Sequence, residues 1–101
     1  MKNETYYITG CSGYSEEIAF ALNRFHNNNT NIFFIENDSK FINTDSPLGI
    51  KILNEEILKD TKSPNVFVTI TNPQIRESIV NKYRKFNADV IFPNFLDSSL
   101  I

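Results

Sequence analysis

The sequence predicts a small three-layer α/β fold with a roughly four-stranded parallel sheet. Runs of β-branched and aromatic residues alternate along the chain with segments of helical periodicity, beginning and ending on a strand. The second strand run is almost wholly apolar, as expected of a strand covered by helices on both faces. Alternating strands and helices favour parallel strands with right-handed crossovers, so we expect one domain over the 101 residues.

The first three elements are a strand, a tight loop and a helix. Thr5–Thr9 is a β-branched and aromatic run, and Gly10–Tyr14 follows it as a loop. Ser15 is expected to cap a helix whose apolar residues recur at helical spacing up to Phe25. The run His26–Asn29 then ends the helix.

A second strand and a short helix are expected next. Asn31–Ile35 is the apolar strand, and the polar run Glu36–Asp38 follows it. Phe41–Thr44 is interpreted as a short edge segment, and Ser46–Gly49 as a turn. Asn54 is the expected cap of a short second helix.

The last three elements are predicted to be a strand, a helix and a fourth strand. Val66–Ile70 has the pattern of a buried strand, and Asn72 with Pro73 is a strong helix start. That helix is expected to continue through Phe86, and Asp89–Phe92 is predicted as the fourth strand.

Composition excludes several classes of protein. Ten basic residues against twelve acidic ones do not form the basic surface of a nucleic-acid binder. No apolar run approaches the roughly 20 residues of a membrane span, and the start does not resemble a signal peptide. One cysteine and one histidine exclude a disulfide framework and a Cys/His zinc site. We therefore expect a cytoplasmic protein.

Candidate binding segments meet where the predicted strands end. Ligands of open parallel sheets bind outside the carboxyl ends of the strands, where Gly10–Ser15, Glu36–Asp38 and Thr69–Asn72 lie in this fold. Gly10 and Gly13 allow a close backbone approach, and the helix after them offers free N–H groups to a phosphate. A plain strand-to-helix turn explains the same spacing equally well.

Single residues near these segments have two interpretations each. Glu36 suits a ribose-binding carboxylate or a solvated one, and Asn72 is a helix cap or a ligand contact. Cys11 is more simply a packing residue than a reactive thiol, and Arg76 either binds an anion or faces solvent. No catalytic triad, metal cluster or acid–base pair emerges.

The order of motifs resembles the opening domain of the bacterial sugar acetyltransferases that include bacillosamine N-acetyltransferase and sialic acid O-acetyltransferase (the PglD/NeuD group). The resemblance covers essentially the whole chain. The matching segments are Ile8–Ile18, Phe34–Asp38, Pro47–Leu53, Val66–Arg76 and Ile91–Asn94.

This resemblance implies a Rossmann-like domain, residues 1–101, that holds a UDP-amino-sugar for a sugar O- or N-acetyltransferase of surface glycan biosynthesis. In that family acetyl-CoA and the catalytic histidine belong to a C-terminal left-handed β-helix domain. We expect that domain to be absent from this chain, so the chain alone is expected to have no cofactor and no catalytic residue. The implied nucleotide-sugar-binding residues are Gly10, Cys11, Ser12, Gly13, Tyr14, Glu36, Asn37, Thr71 and Asn72.

Departures from the family pattern leave a second interpretation open. Ser15 and Thr71 stand where the family has glycines, and Glu16 stands where it has a basic residue. These changes suit a non-catalytic interaction or regulatory domain of the same fold with an idle pocket. An NAD-type dehydrogenase half-domain is the weakest interpretation, because the third glycine and a substrate domain are missing.

Overall fold

The structure is a computed structural model that describes residues 4–10, 13–25, 30–37, 42, 44–45, 49–70 and 72–93. The described residues form a parallel sheet with helices on both of its faces. In chain order the elements are β1 Glu4–Thr9, α1 Gly13–Phe25, β2 Thr30–Glu36, β3 Ile52–Asn54, a 3-10 helix Glu55–Asp60, β4 Asn65–Phe67 and α2 Pro73–Phe86.

All strand pairs of the sheet are parallel, as the sequence predicts. The four strands lie in the order β3-β2-β1-β4. β1 pairs with β2 from Glu4↔Thr30 to Thr9↔Ile35. Its other edge pairs with β4, where the register ends at Ile8↔Phe67. The three-layer Rossmann-like α/β fold is confirmed.

Two hydrophobic clusters cover the two faces of the sheet. Neighbouring strand residues point to opposite faces, and Tyr6 and Tyr7 accordingly belong to different clusters. Burial of these side chains is the main stabilising term of such a domain. The cluster under α1 contains Tyr6, Ile8, Ile18, Ala19, Leu22, Phe34, Ile52 and Phe67. The cluster under the 3-10 helix and α2 contains Tyr7, Ile35, Leu58, Val66, Val68 and Tyr83.

Helix α1 begins earlier than predicted. It starts at Gly13, so Ser15 lies inside its first turn and is not its cap. The Ser15 hydroxyl instead contacts the carbonyl oxygen of Thr9, and the residue is only 1% exposed. The predicted helix breaker His26–Asn29 lies outside the described residues.

The fourth strand of the sheet is not the one that the sequence predicts. The edge strand is Ile52–Asn54, which pairs with Phe34–Glu36 of β2. Asp89–Phe92 forms a single parallel bridge, Asn65↔Ile91, and no strand. The next ladder bond would need the N–H of residue 93, which is a proline and has none. Of the predicted edge segment, Phe41 and Asn43 lie outside the described residues.

The predicted strand Val66–Ile70 is also shorter in the structure, because β4 ends at Phe67.

Both later helix starts are confirmed: Asn54 caps the 3-10 helix, and Asn72 caps α2. The predicted apolar face of α2 is only partly covered, since Tyr83 is buried while Ile75 is 52% exposed. Among the described residues, no helix has the length and apolarity needed to cross a membrane.

Candidate functional site

The carboxyl edge of the sheet contains a topological switch point. From β1 the chain continues to β2 on one side, whereas β4 later pairs with the opposite side of β1. Connections that leave in opposite directions open a crevice outside the ends of β1 and β4, which is where ligands bind in this architecture. The turn after β1 and the segment after β4 therefore flank the candidate site.

Gly10 makes the turn between β1 and α1. Its φ is +84°, a backbone conformation that residues with a side chain rarely adopt. Its N–H donates to the Ile35 carbonyl oxygen at 2.9 Å. Helix α1 begins three residues later at Gly13, so the N–H groups of its first turn lie at this edge. Such groups and the helix dipole favour an anion.

Several predicted contacts around this turn carry no structural description. Cys11, Ser12 and Thr71 lie outside the described residues. Gly13 and Tyr14 belong to the described backbone of helix α1, and the Tyr14 side chain lies outside the described part of the structure.

Glu36 lies next to the glycine turn at the end of β2. Its neighbour Ile35 pairs with Thr9 and accepts the Gly10 N–H, which brings the carboxylate to the same edge. Oε1 of Glu36 accepts a hydrogen bond from the backbone N–H of Asn37 at 3.2 Å. Among the described residues, the ion pairs are Lys59–Glu56 and Lys82–Glu55, and neither of them involves Glu36.

Asn72 acts as a helix cap. Its Oδ1 accepts hydrogen bonds from the backbone N–H groups of Gln74 and Ile75 at 3.0 and 3.1 Å. Because Oδ1 accepts these two hydrogen bonds, the side-chain nitrogen of Asn72 is the atom with which this residue would contact a ligand.

Ser15 and Thr69 lie in the candidate segments Gly10–Ser15 and Thr69–Asn72, but the contact between their buried hydroxyls behind the turn was not predicted. Thr69 Oγ1 donates to the Thr9 carbonyl oxygen at 2.7 Å, and Ser15 Oγ lies 2.8 Å from Thr69 Oγ1. All three residues are less than 10% exposed. The signal for them was limited, because each threonine reads as an ordinary β-branched strand residue and Ser15 as a helix cap.

From Thr9, a series of side-chain hydrogen bonds extends under α2. Thr9 Oγ1 donates to the Tyr83 hydroxyl at 3.3 Å, and that hydroxyl donates to Glu55 Oε2 at 3.0 Å. Lys82 pairs with Glu55 Oε1 at 2.6 Å. Burial raises the pKa of the Tyr83 phenol, and the adjacent Glu55 carboxylate raises it further. Tyr83 therefore stays protonated and remains a donor to Glu55.

Arg76 lies beside a separate cavity of about 440 Å³ on the outer side of β4. Arg84 lines the same cavity, where its guanidinium stacks over the Phe92 ring at 5.4 Å from the centroid. The described residues contain no group of three or more carboxylate, cysteine or histidine side chains that would hold a metal ion. The edge offers backbone N–H groups, a helix terminus and one carboxylate, which together suit binding of a phosphorylated, hydroxyl-bearing ligand.

A protein-family model described as the PglD N-terminal domain matches residues 6–83, more than half of the chain. The matched region contains most of β1, the glycine turn, both strand ends at the switch point and most of α2. No curated protein and no solved structure matches the chain.

Proposed function

The chain belongs to the PglD N-terminal domain family, the N-terminal domain of sugar acetyltransferases, and from this we propose that it binds a UDP-amino-sugar at the carboxyl edge of its sheet. In this proposal the domain holds the sugar nucleotide for an acetyl transfer in cytoplasmic surface-glycan biosynthesis. In line with the family resemblance, the proposal gives this domain the sugar nucleotide and leaves the acetyl-CoA site and the chemistry to a β-helix domain.

The observation that carries the proposal is the pairing of the Gly10 turn with Glu36 at the switch point. The first amides of α1 suit the diphosphate, because the N–H groups of a first helical turn lack partners within the helix and Gly10 adds no side chain at the turn before them. Glu36, one residue beyond the pair Thr9↔Ile35, suits the hydroxyls of the nucleoside. Neither contact requires a metal ion or a nucleophile.

Two departures from the family pattern bear on affinity. Ser15 replaces a glycine, but its hydroxyl faces Thr9 and Thr69 inside the protein, so it takes no room from the crevice. Glu16 adds a negative charge in the first turn of α1. At a few ångströms, like charge weakens phosphate binding, and salt reduces this repulsion.

Calorimetric titration with UDP and UDP-GlcNAc tests the proposal. Gly10→Ala and Gly49→Ala form a matched pair, because both glycines have positive φ, +84° and +80°. Each substitution places a side chain in the left-handed region and costs about 1 kcal/mol of folding stability. Only Gly10→Ala is expected to weaken UDP binding, by at least about tenfold, since Gly49 lies in the loop before β3.

Equal UDP affinity in the two variants would contradict the placement of the diphosphate at the glycine turn. Absence of heat and of any thermal shift with millimolar UDP and UDP-GlcNAc would overturn sugar-nucleotide binding. That second result would favour an interaction domain with an idle pocket.

A further inference from the structure

We infer that Ser15 and Thr69 are positioning residues that hold the glycine turn from outside the ligand crevice, by clamping the peptide unit between Thr9 and Gly10. The hydroxyl clamp consists of the Ser15 and Thr69 hydroxyls and the Thr9 carbonyl oxygen. Only the expected effect of the clamp on ligand binding rests on the proposed function. The clamp itself stands on the contacts of the described residues.

The first step is that both polar ends of this peptide unit are bound. The Gly10 N–H donates to the Ile35 carbonyl oxygen of β2 at 2.9 Å. The Thr9 carbonyl oxygen of the same unit accepts from Thr69 Oγ1 at 2.7 Å and contacts Ser15 Oγ at 3.1 Å. The last rigid peptide before the turn is thus held by β2 on one side and by the clamp on the other.

The second step is that side chains replace a missing backbone ladder. The register between β1 and β4 ends at Ile8↔Phe67, and Thr69 lies beyond the end of β4. Beyond this point β1 and β4 separate, which opens the crevice. The separation also leaves the Thr9 carbonyl without a backbone N–H donor from the neighbouring strand. The Thr69 hydroxyl supplies the donor instead, and the strand ends remain tied across the opening.

The third step is a count of protons. The clamp has three close oxygen–oxygen contacts, of 2.7, 2.8 and 3.1 Å. The two hydroxyls carry one proton each, so only two full hydrogen bonds exist at a time. Thr69 has the shortest contact with the Thr9 carbonyl and donates there. Ser15 shares its proton between Thr69 Oγ1 and the Thr9 carbonyl and becomes the reserve donor.

The fourth step places the clamp directly behind the turn. A Cβ built on Gly10 would lie 3.5 Å from Ser15 Oγ, an ordinary contact distance. The Thr9 side chain is also fixed, because its Oγ1 donates to Tyr83.

Amide hydrogen exchange of Gly10 tests the clamp without a ligand, with the Phe34 amide as the internal reference. The N–H of the buried Phe34 donates to the Lys51 carbonyl oxygen at 3.0 Å, beside the edge strand β3. Relative to that reference, Thr69→Val is expected to speed Gly10 exchange by about tenfold and Ser15→Ala by about threefold. The double variant is expected to exceed the product of these factors, at roughly a hundredfold, because no reserve donor is left.

Thr69→Ser is the rescue variant, because it keeps the hydroxyl, and it should leave Gly10 exchange within about twofold of wild type. If the double variant does not fold, the comparison of Thr69→Val with Thr69→Ser decides the question. Equal acceleration of Gly10 and Phe34 exchange, or equal effects of Val and Ser at position 69, would overturn the clamp.

UDP titration of the same variants tests the consequence for binding. At a temperature where all variants are folded, Thr69→Val should raise the Kd for UDP by about tenfold, and Thr69→Ser should not. Unchanged Kd in Thr69→Val would overturn the positioning role. If the wild-type chain binds no UDP, the proposed function fails, and the exchange experiment still decides whether the clamp exists.

Discussion

At the scale of single residues, Tyr83 is a buried titratable side chain whose surroundings shift its pKa. Its hydroxyl accepts from Thr9 and donates to Glu55, and its ring belongs to the cluster under α2. Burial and the Glu55 carboxylate raise the pKa of the phenol above its ordinary value of 10.0. The phenol therefore stays neutral in the folded protein at pH values where the unfolded chain has begun to lose this proton.

Tyr83→Phe is expected to change both the stability and its dependence on pH. Because the folded-state pKa is raised, this contribution is fully present below about pH 10 and is lost as pH rises towards the folded pKa. At neutral pH the variant loses two hydrogen bonds, and its free energy of unfolding should be about 1–2 kcal/mol lower. Urea unfolding from neutral to alkaline pH measures both effects.

The difference between wild type and Tyr83→Phe in the free energy of unfolding should narrow above pH 10, by about 1.4 kcal/mol per pH unit at most. Parallel stability curves over the alkaline range would contradict the raised pKa.

Single residues also show which site features a sequence reveals. Gly10 and Glu36 were predicted because each directly follows a predicted strand, and hydrophobic runs indicate where strands end. Ser15 was assigned a capping role because its type suits a helix start. Its actual partner, Thr69, is 54 positions away, and only the parallel pairing of the strands brings the two together.

At the scale of elements, Asn87 ties the end of α2 to the end of the 3-10 helix. Its side-chain nitrogen lies 2.9 Å from the Leu58 carbonyl oxygen and 2.6 Å from that of Thr61. Its backbone N–H also closes the last turn of α2 on Tyr83. The Asn87 side chain thus donates to two carbonyl oxygens at the end of the 3-10 helix, where a helix leaves carbonyls without partners of its own.

Asn87→Ala is expected to lower the free energy of unfolding by about 2 kcal/mol, because the Thr61 carbonyl loses this donor and the Leu58 carbonyl keeps only its 3.4 Å contact with the Thr61 N–H. Asn81→Ala is the matched control, since Asn81 is exposed on α2 and alanine favours helix. Urea titration with unchanged m-value measures both. A loss below about 0.5 kcal/mol for Asn87→Ala would contradict the tie.

The elements were predicted best where several local signals coincide. Asn72 followed by Pro73 marks the start of α2 correctly, because capping oxygen and fixed φ act at adjacent positions. β3 was missed, since three residues are too short to show a period. The strand predicted at Asp89–Phe92 shrinks to a bridge, because Pro93 has no N–H for the next ladder bond.

At the scale of the whole molecule, one architectural feature links fold and site. The order β3-β2-β1-β4 covers β1 with a strand on each side and leaves its carboxyl end at the switch point. The alternation of strands and helices predicts a parallel sheet but not which strand lies at each edge. In the folded chain, one face of the sheet packs against α1 and the other against α2 and the 3-10 helix.

The most direct test of the central claim is a titration of the isotopically labelled chain with UDP-GlcNAc, followed by amide chemical shifts. Binding at the carboxyl edge predicts the largest saturable shifts at Gly10 and Glu36, the residues that adjoin at the ends of β1 and β2. Absence of shifts at millimolar ligand, or shifts confined to the cavity beside Arg76 and Arg84, would contradict it.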